Sequence, residues 1–476
     1  MISLIFFAPV ILAVIALALP KRIISRIALL APPLIYIMAA FAEYLKIEWY
    51  ILPDWLMPYF QFDSVGLFFF TVMTLVFASV SVYSLFYFKS HSFTLKQESI
   101  YIAEIQFFVV AMAGVILAAH LALMWVFVEA TTLTSALLIY FEKKKSSLEA
   151  SWKYIYICSV GIALAFVGII LLTIGSRSID SLFFTDLYNK ASQINPFWLK
   201  VSFAFIFVGL GTKIGIAPIH AWLPDAHSEA PSPVSALLSG TLLNSALLGL
   251  LRVQKIFISA HLEGFSDFLF LLTGFLSLMI SAVYMLRIKN YKRMLAYSSI
   301  ENMGILFIGI ALGKYGVFAL MLHVLAHSLS KTSLFLTSGN ILYLHKSKKI
   351  EPVSGLLMSD SRTGWLWIVS MLAIIGMPPF PIFLSKFLIV KALWMEGLSW
   401  LAVPFFLFLV IVAFGMANAV FKMAFGEAPA DKNLINKNGF AAYAPQMVLL
   451  FILFIVGINI SPQIYSFLNS AANFLR

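Results

Sequence analysis

His323, His327 and Lys331 recur every four residues in HVLAHSLSK, inside the apolar run FALMLHVLAHSLSKTSLFLTSG. A helix turns once every ~3.6 residues, so the three groups line one stripe with about 6 Å of rise between neighbours. Neutral imidazole titrates near ~6.5, and burial lowers a lysine's pKa towards that range. Such a stripe can pass a proton in short hops. Two other readings stand beside this one. Histidines at i and i+4 can bind a metal, and buried histidines can serve only as hydrogen-bonding groups. No carboxylate or cysteine completes a metal site nearby, and Lys331 on the same stripe would repel a cation.

Other titratable residues lie in equally apolar surroundings. Glu129 sits in ALMWVFVEATTLTSALLIY, Lys213 in GLGTKIGIAPIHAWLPD, Glu301 in AYSSIENMGILFIGI and Lys386 in IIGMPPFPIFLSKFLIVKAL. An ionisable residue at membrane depth costs at least ~2.5–3.5 kcal/mol and usually marks an ion path. Lys213 and Lys386 each adjoin a proline cluster. A Lys–Glu pair whose separation changes can take up and release a proton near neutral pH. Arg252, Lys391 and Lys422 are nearer helix ends, where long side chains snorkel to the interface. Arg252, Glu301 and Lys391 are accessory candidates. A sodium path would want clustered carboxylates and carbonyl oxygens, and this chain has few acids in its apolar segments.

The elements that position these groups must be membrane helices. Of 476 residues, 62% are hydrophobic and 11% charged, and the mean hydropathy is +0.96. Soluble domains carry about 25% charged residues, so this is an integral membrane protein. Spans are expected near 3–20, 23–41, 63–88, 100–119, 121–141, 154–174, 200–218, 234–257, 266–287, 297–312, 316–342, 364–394, 401–424 and 446–469. The expected fold is an all-α membrane protein of about 14 transmembrane helices, one polytopic domain over 1–476. The first span ends at Lys21 and Arg22 with no small-residue cleavage site, and reads as retained rather than as a signal peptide. Prolines 218, 224, 231 and 233 break one span, and prolines 378, 379 and 381 break another. Such breaks are tolerated only where protein or a wet cavity satisfies the freed backbone. The two lie about 165 residues apart, which fits two inverted five-helix repeats, 100–257 and 266–424, each with a broken helix.

The net charge of +11 reflects basic loops, not nucleic-acid binding. KRIISR, KSHSFTLK, EKKKSSLEASWK, RIKNYKR, HKSKK and the 422–437 stretch hold about twenty Lys and Arg, and fall in alternate loops. The opposite loops, such as EYLKIEWYILPD, are sparse or acidic. By the positive-inside rule the basic set is cytoplasmic, and both termini lie outside. The single cysteine, Cys158, allows no internal disulfide and no cysteine-ligated cluster, so no cofactor is expected in this chain.

Four motifs carry a resemblance: GTKIGIAPIHAWLPDAHSEAPSPVSALLSG, KNYKRMLAYSSIENMG, HVLAHSLSKTSLFLTSG and GMPPFPIFLSKF. Over about residues 60–425 the chain resembles the antiporter-like membrane subunits of respiratory complex I, Mrp-type antiporters and membrane-bound NiFe hydrogenases. HSEAPSPVSALLSG and AYSSIENMG look closest to the hydrogenase-4 component F branch. The resemblance implies a 14-helix fold and a prokaryotic inner-membrane location. It implies that Glu129 pairs with Lys213, that His323, His327 and Lys331 form the relay, and that Lys386 lies near the exit. Many relatives carry Lys or His where this chain has Asn244. Asn cannot titrate but can order water, and Arg252, eight residues on, is a candidate source of charge. The chain would then be a non-catalytic, proton-translocating subunit of a redox-driven assembly. Its partners would be other membrane subunits and a peripheral arm with iron–sulfur and NiFe-hydrogenase-like subunits. The alternatives are a component of a cation/proton antiporter, a partner in inorganic-carbon uptake, or a non-conducting scaffold.

Overall fold

The computed structural model describes residues 2–47, 55–176, 179, 181–427 and 439–475. Residues 48–54 of the expected acidic loop and 428–437 of the last basic stretch lie outside these. The helices are α1 Ile2–Ala18, α2 Arg22–Tyr44, α3 Ser64–Ser90, α4 Leu95–Leu117, α5 Leu121–Ile139, α6 Lys145–Gly175 and α7 Phe184–Asn189. They continue with α8 Pro196–Ile214, α9 Leu223–Glu229, α10 Ser232–Leu237, α11 Leu243–Ser259, α12 Glu263–Met285, α13 Tyr291–Ala311 and α14 Gly313–His345. The last are α15 Leu356–Ser359, α16 Ser361–Ile375, α17 Pro381–Met395, α18 Ala402–Ala424, α19 Ala444–Ile458 and α20 Pro462–Ala472. A π-helical turn, Leu238–Leu242, joins α10 to α11.

Among the described residues, 11 helices are long and apolar enough to cross a membrane, or 12 if the α19–α20 pair, bent by 90°, is one span. The difference from the expected count has local causes. The region 364–394 is two helices of 15 residues, because Gly376 takes φ +87° and prolines 378, 379 and 381 deny the ladder its donors. The region 446–469 turns at Ser461, whose hydroxyl caps α20. α1 has only 17 residues. The other break follows the same chemistry: α8 ends at Gly215, φ +78°, two residues beyond Lys213.

Burial inverts the usual rule for polar groups. The helices buried on nearly every side are α10–α11, α13 and α14, and these carry Asn244, Glu301, Asn302, His323, His327 and Lys331. The outward faces of α6, α12 and α18 are apolar, as Tyr156, Val160, Phe268, Leu272, Phe406 and Val410 show. A chain solvated by lipid gains nothing by hiding apolar side chains, so its interior is free to hold the polar ones.

The basic loops meet at one end of the bundle. Glu142 accepts from Tyr87 and Lys144, Glu229 from Ser146 and Lys348, and Asp225 pairs with Lys153 and Arg293. At the other end, Phe60 bridges to Ala118 and His120 to Phe183.

Candidate functional site

The first polar group forms between α5, α6 and α8. Lys213 is fully buried; its Nζ donates to Thr132 Oγ1 at 2.8 Å and to Tyr154 OH at 2.6 Å. Thr132 Oγ1 in turn lies 3.4 Å from Glu129 Oε2, while Ser159 donates to Glu129 Oε1 at 2.9 Å. The direct pairing of Glu129 with Lys213 implied by the resemblance is therefore replaced by a one-hydroxyl bridge. The cause is reach: Thr132, one turn after Glu129 on α5, stands between the two charges. Glu129 is half-buried, on the rim of the bundle, whereas Lys213 is inside it.

The second group forms between α13, α14 and α17. Lys386 Nζ lies 3.2 Å from Glu301 Oε1 and 3.3 Å from the Ile375 carbonyl left free at the end of α16. Glu301 thus belongs to the group as the direct partner of Lys386. Asn302 Nδ2 donates to the Ser298 carbonyl at 2.6 Å, which turns its Oδ1 towards His323 Nε2, 3.0 Å away. That oxygen only accepts, so Nε2 carries hydrogen. His323 Nδ1 lies 2.8 Å from Ser385 Oγ, which also reaches the Ile382 carbonyl at 2.9 Å. If the hydroxyl hydrogen points to Nδ1 the ring is neutral; if it points to Ile382, Nδ1 must be protonated.

Between these groups lie Asn244, His327 and Lys331. Lys331 Nζ donates to the Leu295 carbonyl at 2.6 Å and to Ser298 Oγ. Asn244 Nδ2 donates to Ser328 Oγ at 2.7 Å and to the Gly240 carbonyl at 2.8 Å, and its Oδ1 has no protein partner. His327 is fully buried, and neither ring nitrogen has a protein partner. No protein group therefore fixes which of its two nitrogens carries the hydrogen.

Two accessory candidates stand apart. Arg252 is buried, but its fork grips Asp63 at 3.2 Å and the carbonyls of Val115, Ile116 and Ala118 at 3.2, 2.7 and 2.9 Å. It joins α11 to the start of α3 and the end of α4, at the end of the bundle away from the basic loops. It neither snorkels nor supplies charge beside Asn244, because five acceptors already hold it. Lys391 is exposed, as is Lys422. No group of three or more His, Cys, Asp or Glu among the described residues could hold a metal.

Sequence reasoning missed the neutral members: Thr132, Tyr154, Ser159, Ser298, Asn302, Ser328 and Ser385. Two had a usable signal, since Asn302 follows Glu301 and Ser385 precedes Lys386. The two groups hold amines, carboxylates, imidazoles and hydroxyls at hydrogen-bond spacing, which can exchange protons.

Comparison with known proteins finds relatives of the chain in sequence and in fold. Residues 118–414 match the transmembrane family described as NADH:quinone oxidoreductase/Mrp antiporter. A hydrogenase-4 component F homolog of Methylacidiphilum infernorum is 34% identical over 75% of this chain and 75% of its own length. Hydrogenase-4 component B of Escherichia coli is 27% identical over 77% of this chain, which spans 56% of that protein. An Na(+)/H(+) antiporter subunit of Alkalihalophilus pseudofirmus is 29% identical over 70% of this chain, which spans 42% of it. The fold matches a chain of the archaeal membrane-bound sulfane sulfur reductase, with TM-score 0.88 and 24% identity over 100% of this chain and 97% of that one. It also matches a chain of the Mrp complex from a Dietzia species, with TM-score 0.87 and 18% identity over 100% and 97%. The structural likeness is one of fold, and the sequence match over residues 118–414 together with the 34% identical relative shows that this chain belongs to the NADH:quinone oxidoreductase/Mrp antiporter family of membrane subunits.

Proposed function

We propose that the chain is a proton-translocating subunit of a larger, redox-driven membrane assembly of the hydrogenase-4 kind, with electron transfer confined to partner subunits. The observation that carries this is the series of exchangeable groups running from half-buried Glu129 to the buried Thr132 and Lys213 in one half, with the buried Lys331, His327, His323, Glu301 and Lys386 in the other. Buried titratable groups in a membrane core are costly and are kept for ion paths. The two glycine-capped breaks, at Gly215 just after Lys213 and at Gly376 ahead of the helix that carries Lys386, support fourteen spans built as inverted repeats over 100–257 and 266–424, with the path between them. A change at half-buried Glu129, delivered by a neighbouring subunit, would alter the charge felt by Lys213 and start transfer towards Lys386. The basic loops would face the cytoplasm.

The test is the assembly purified through this chain and reconstituted in liposomes. Expected are co-purifying iron–sulfur subunits, and a loss of proton uptake in Lys213→Ala and Lys386→Ala with the assembly intact. Unchanged uptake in both would remove the route. The relation to an Na(+)/H(+) antiporter protein supports a second reading, cation/proton exchange. Sodium-dependent proton flux without a redox substrate would select it.

A further inference from the structure

Three lysines at the basic end of the bundle belong to neither polar group. Lys289 follows α12, Lys349 lies between α14 and α15, and Lys422 stands in the last turn of α18. All three are exposed, and together they line one cavity of about 330 Å³. Two backbone hydrogen bonds clip the loops that carry the first two. Tyr291 N–H donates to the Lys348 carbonyl at 3.1 Å, and Ile350 N–H donates to the Lys289 carbonyl at 2.9 Å. Lys289 and Lys349 are therefore held at one place, although they are far apart in the chain.

Their charge is left open where that of their neighbours is not. Elsewhere at the same end Lys144 meets Glu142, Lys153 and Arg293 meet Asp225, and Lys348 binds Glu229 at the end of α9. Among the described residues none of Lys289, Lys349 and Lys422 forms an ion pair. Of the residues lining the cavity only Glu351 is acidic, so positive charge is in excess there.

The rest of the wall is apolar and continues onto the outward surface. Leu286 and Phe414 line the cavity and are 57% and 66% exposed. Beyond them the outer faces of α12 and α18 run on through Val283 and Val410, which are equally bare. Gly415 brings the two helices together. A Cβ at that position would lie 2.7 Å from Met285 Cγ and 3.0 Å from the Met285 carbonyl oxygen, so a side chain there would push α18 off the end of α12. A soluble anion would answer the lysines and leave Leu286 and Phe414 uncovered. An apolar helix would cover those two and leave the lysines without a counter-charge. An amphiphile with an anionic head and a hydrocarbon tail satisfies both.

We propose that this cavity binds an anionic glycerophospholipid. Its phosphate lies among Lys289, Lys349 and Lys422, with the Asn418 amide as a further donor, and its acyl chains run along Leu286 and Phe414. The bound lipid ties the end of α12 to the end of α18 and to the loop after α14. The site requires that the bundle lie in a membrane, and does not depend on the proton path.

The test is native mass spectrometry of the assembly purified through this chain, stripped of lipid in detergent. It is titrated with phosphatidylglycerol, with phosphatidylcholine or with glycerol 3-phosphate. The wild type is expected to take up one phosphatidylglycerol more than Lys289→Gln/Lys349→Gln/Lys422→Gln, and to bind it at least about tenfold tighter than phosphatidylcholine. Lys21→Gln/Lys96→Gln/Lys145→Gln removes as much charge from exposed lysines of other basic loops, and is expected to behave as the wild type. Lys422→Gln alone replaces the first triple variant if the latter does not elute as a folded species, and is expected to weaken binding at least about threefold. Equal uptake in wild type and cavity variant, or an equal loss in both triple variants, overturns the site. Displacement of the lipid by an equal concentration of glycerol 3-phosphate shows a site for free anions and overturns the lipid. A neighbouring subunit lost from the cavity variant, with lipid uptake unchanged, gives the cavity to a protein partner and overturns it as well.

Discussion

Lys386 and Glu301 form a direct buried ion pair at 3.2 Å, with both side chains almost wholly out of solvent. In the other half, the same charge types are kept apart by a hydroxyl. The two halves therefore differ in how their charges are paired, and this difference can be probed one residue at a time.

Breaking the Lys386–Glu301 pair should be worse than removing it. Stripping one partner from a buried pair typically costs ~3–5 kcal/mol, whereas an apolar replacement of both is often neutral. Glu301→Leu is expected to lower the thermal unfolding midpoint in detergent markedly. Glu301→Leu with Lys386→Met should recover most of that loss while leaving proton uptake abolished.

Thr132→Val keeps the shape of the side chain and deletes the bridge. Lys213 then loses an acceptor, and a hydrogen bond to a charged group is worth ~1.5–3 kcal/mol. Proton uptake should fall about tenfold in Thr132→Val and stay near normal in Thr132→Ser. Equal rates in the two variants would show that the hydroxyl plays no part.

Arg252 makes the opposite prediction. Its planar fork serves two oxygens of Asp63 and three carbonyls, a task a lysine's point-like ammonium cannot repeat. Arg252→Lys should lower the unfolding midpoint and the yield of folded chain. Proton uptake per folded molecule should not change.

The clamp on α9 should weaken in acid. Burial raises the Glu229 carboxyl pKa, but Ser146 and Lys348 more than offset it, and the net displacement is downward. The folded-state value is therefore below the unfolded one, near ~4.3. The stabilisation is complete above that unfolded value and disappears as pH falls through the folded value. The midpoint difference between wild type and Glu229→Gln should be constant from neutral pH to about 5 and shrink below it.

Much of this was legible in the residues, for a physical reason. Lys213 and Lys386 announce themselves because a charge beside prolines, inside an apolar run, has few innocent explanations. Thr132, Ser298 and Ser385 do not, since hydroxyls on membrane helices usually bond back to their own helix, as Thr74 and Ser84 do here. Which of them turns towards a neighbour is decided by packing between helices far apart in the chain. Asn302 reaches His323 across 21 positions, and Lys213 reaches Tyr154 across 59. Arg252 misled for a related reason: its partner Asp63 lies 189 residues away, so a residue near a helix end read as an anchor in the interface when it is a staple inside the bundle. Span counts part from helix counts where proline and glycine cut one apolar run into two short helices, as at α16 and α17.

Ser385 has a single hydrogen to give, and two claimants for it. When His323 is charged, the hydroxyl fastens onto the Ile382 carbonyl in the first turn of α17. When the ring is neutral, the hydroxyl swings to Nδ1 and that turn is unfastened. The protonation state of one imidazole is thereby tied to a hydrogen bond in the first turn of the helix that carries Lys386. Side-chain charge and backbone bonding thus share one hydrogen atom at this point.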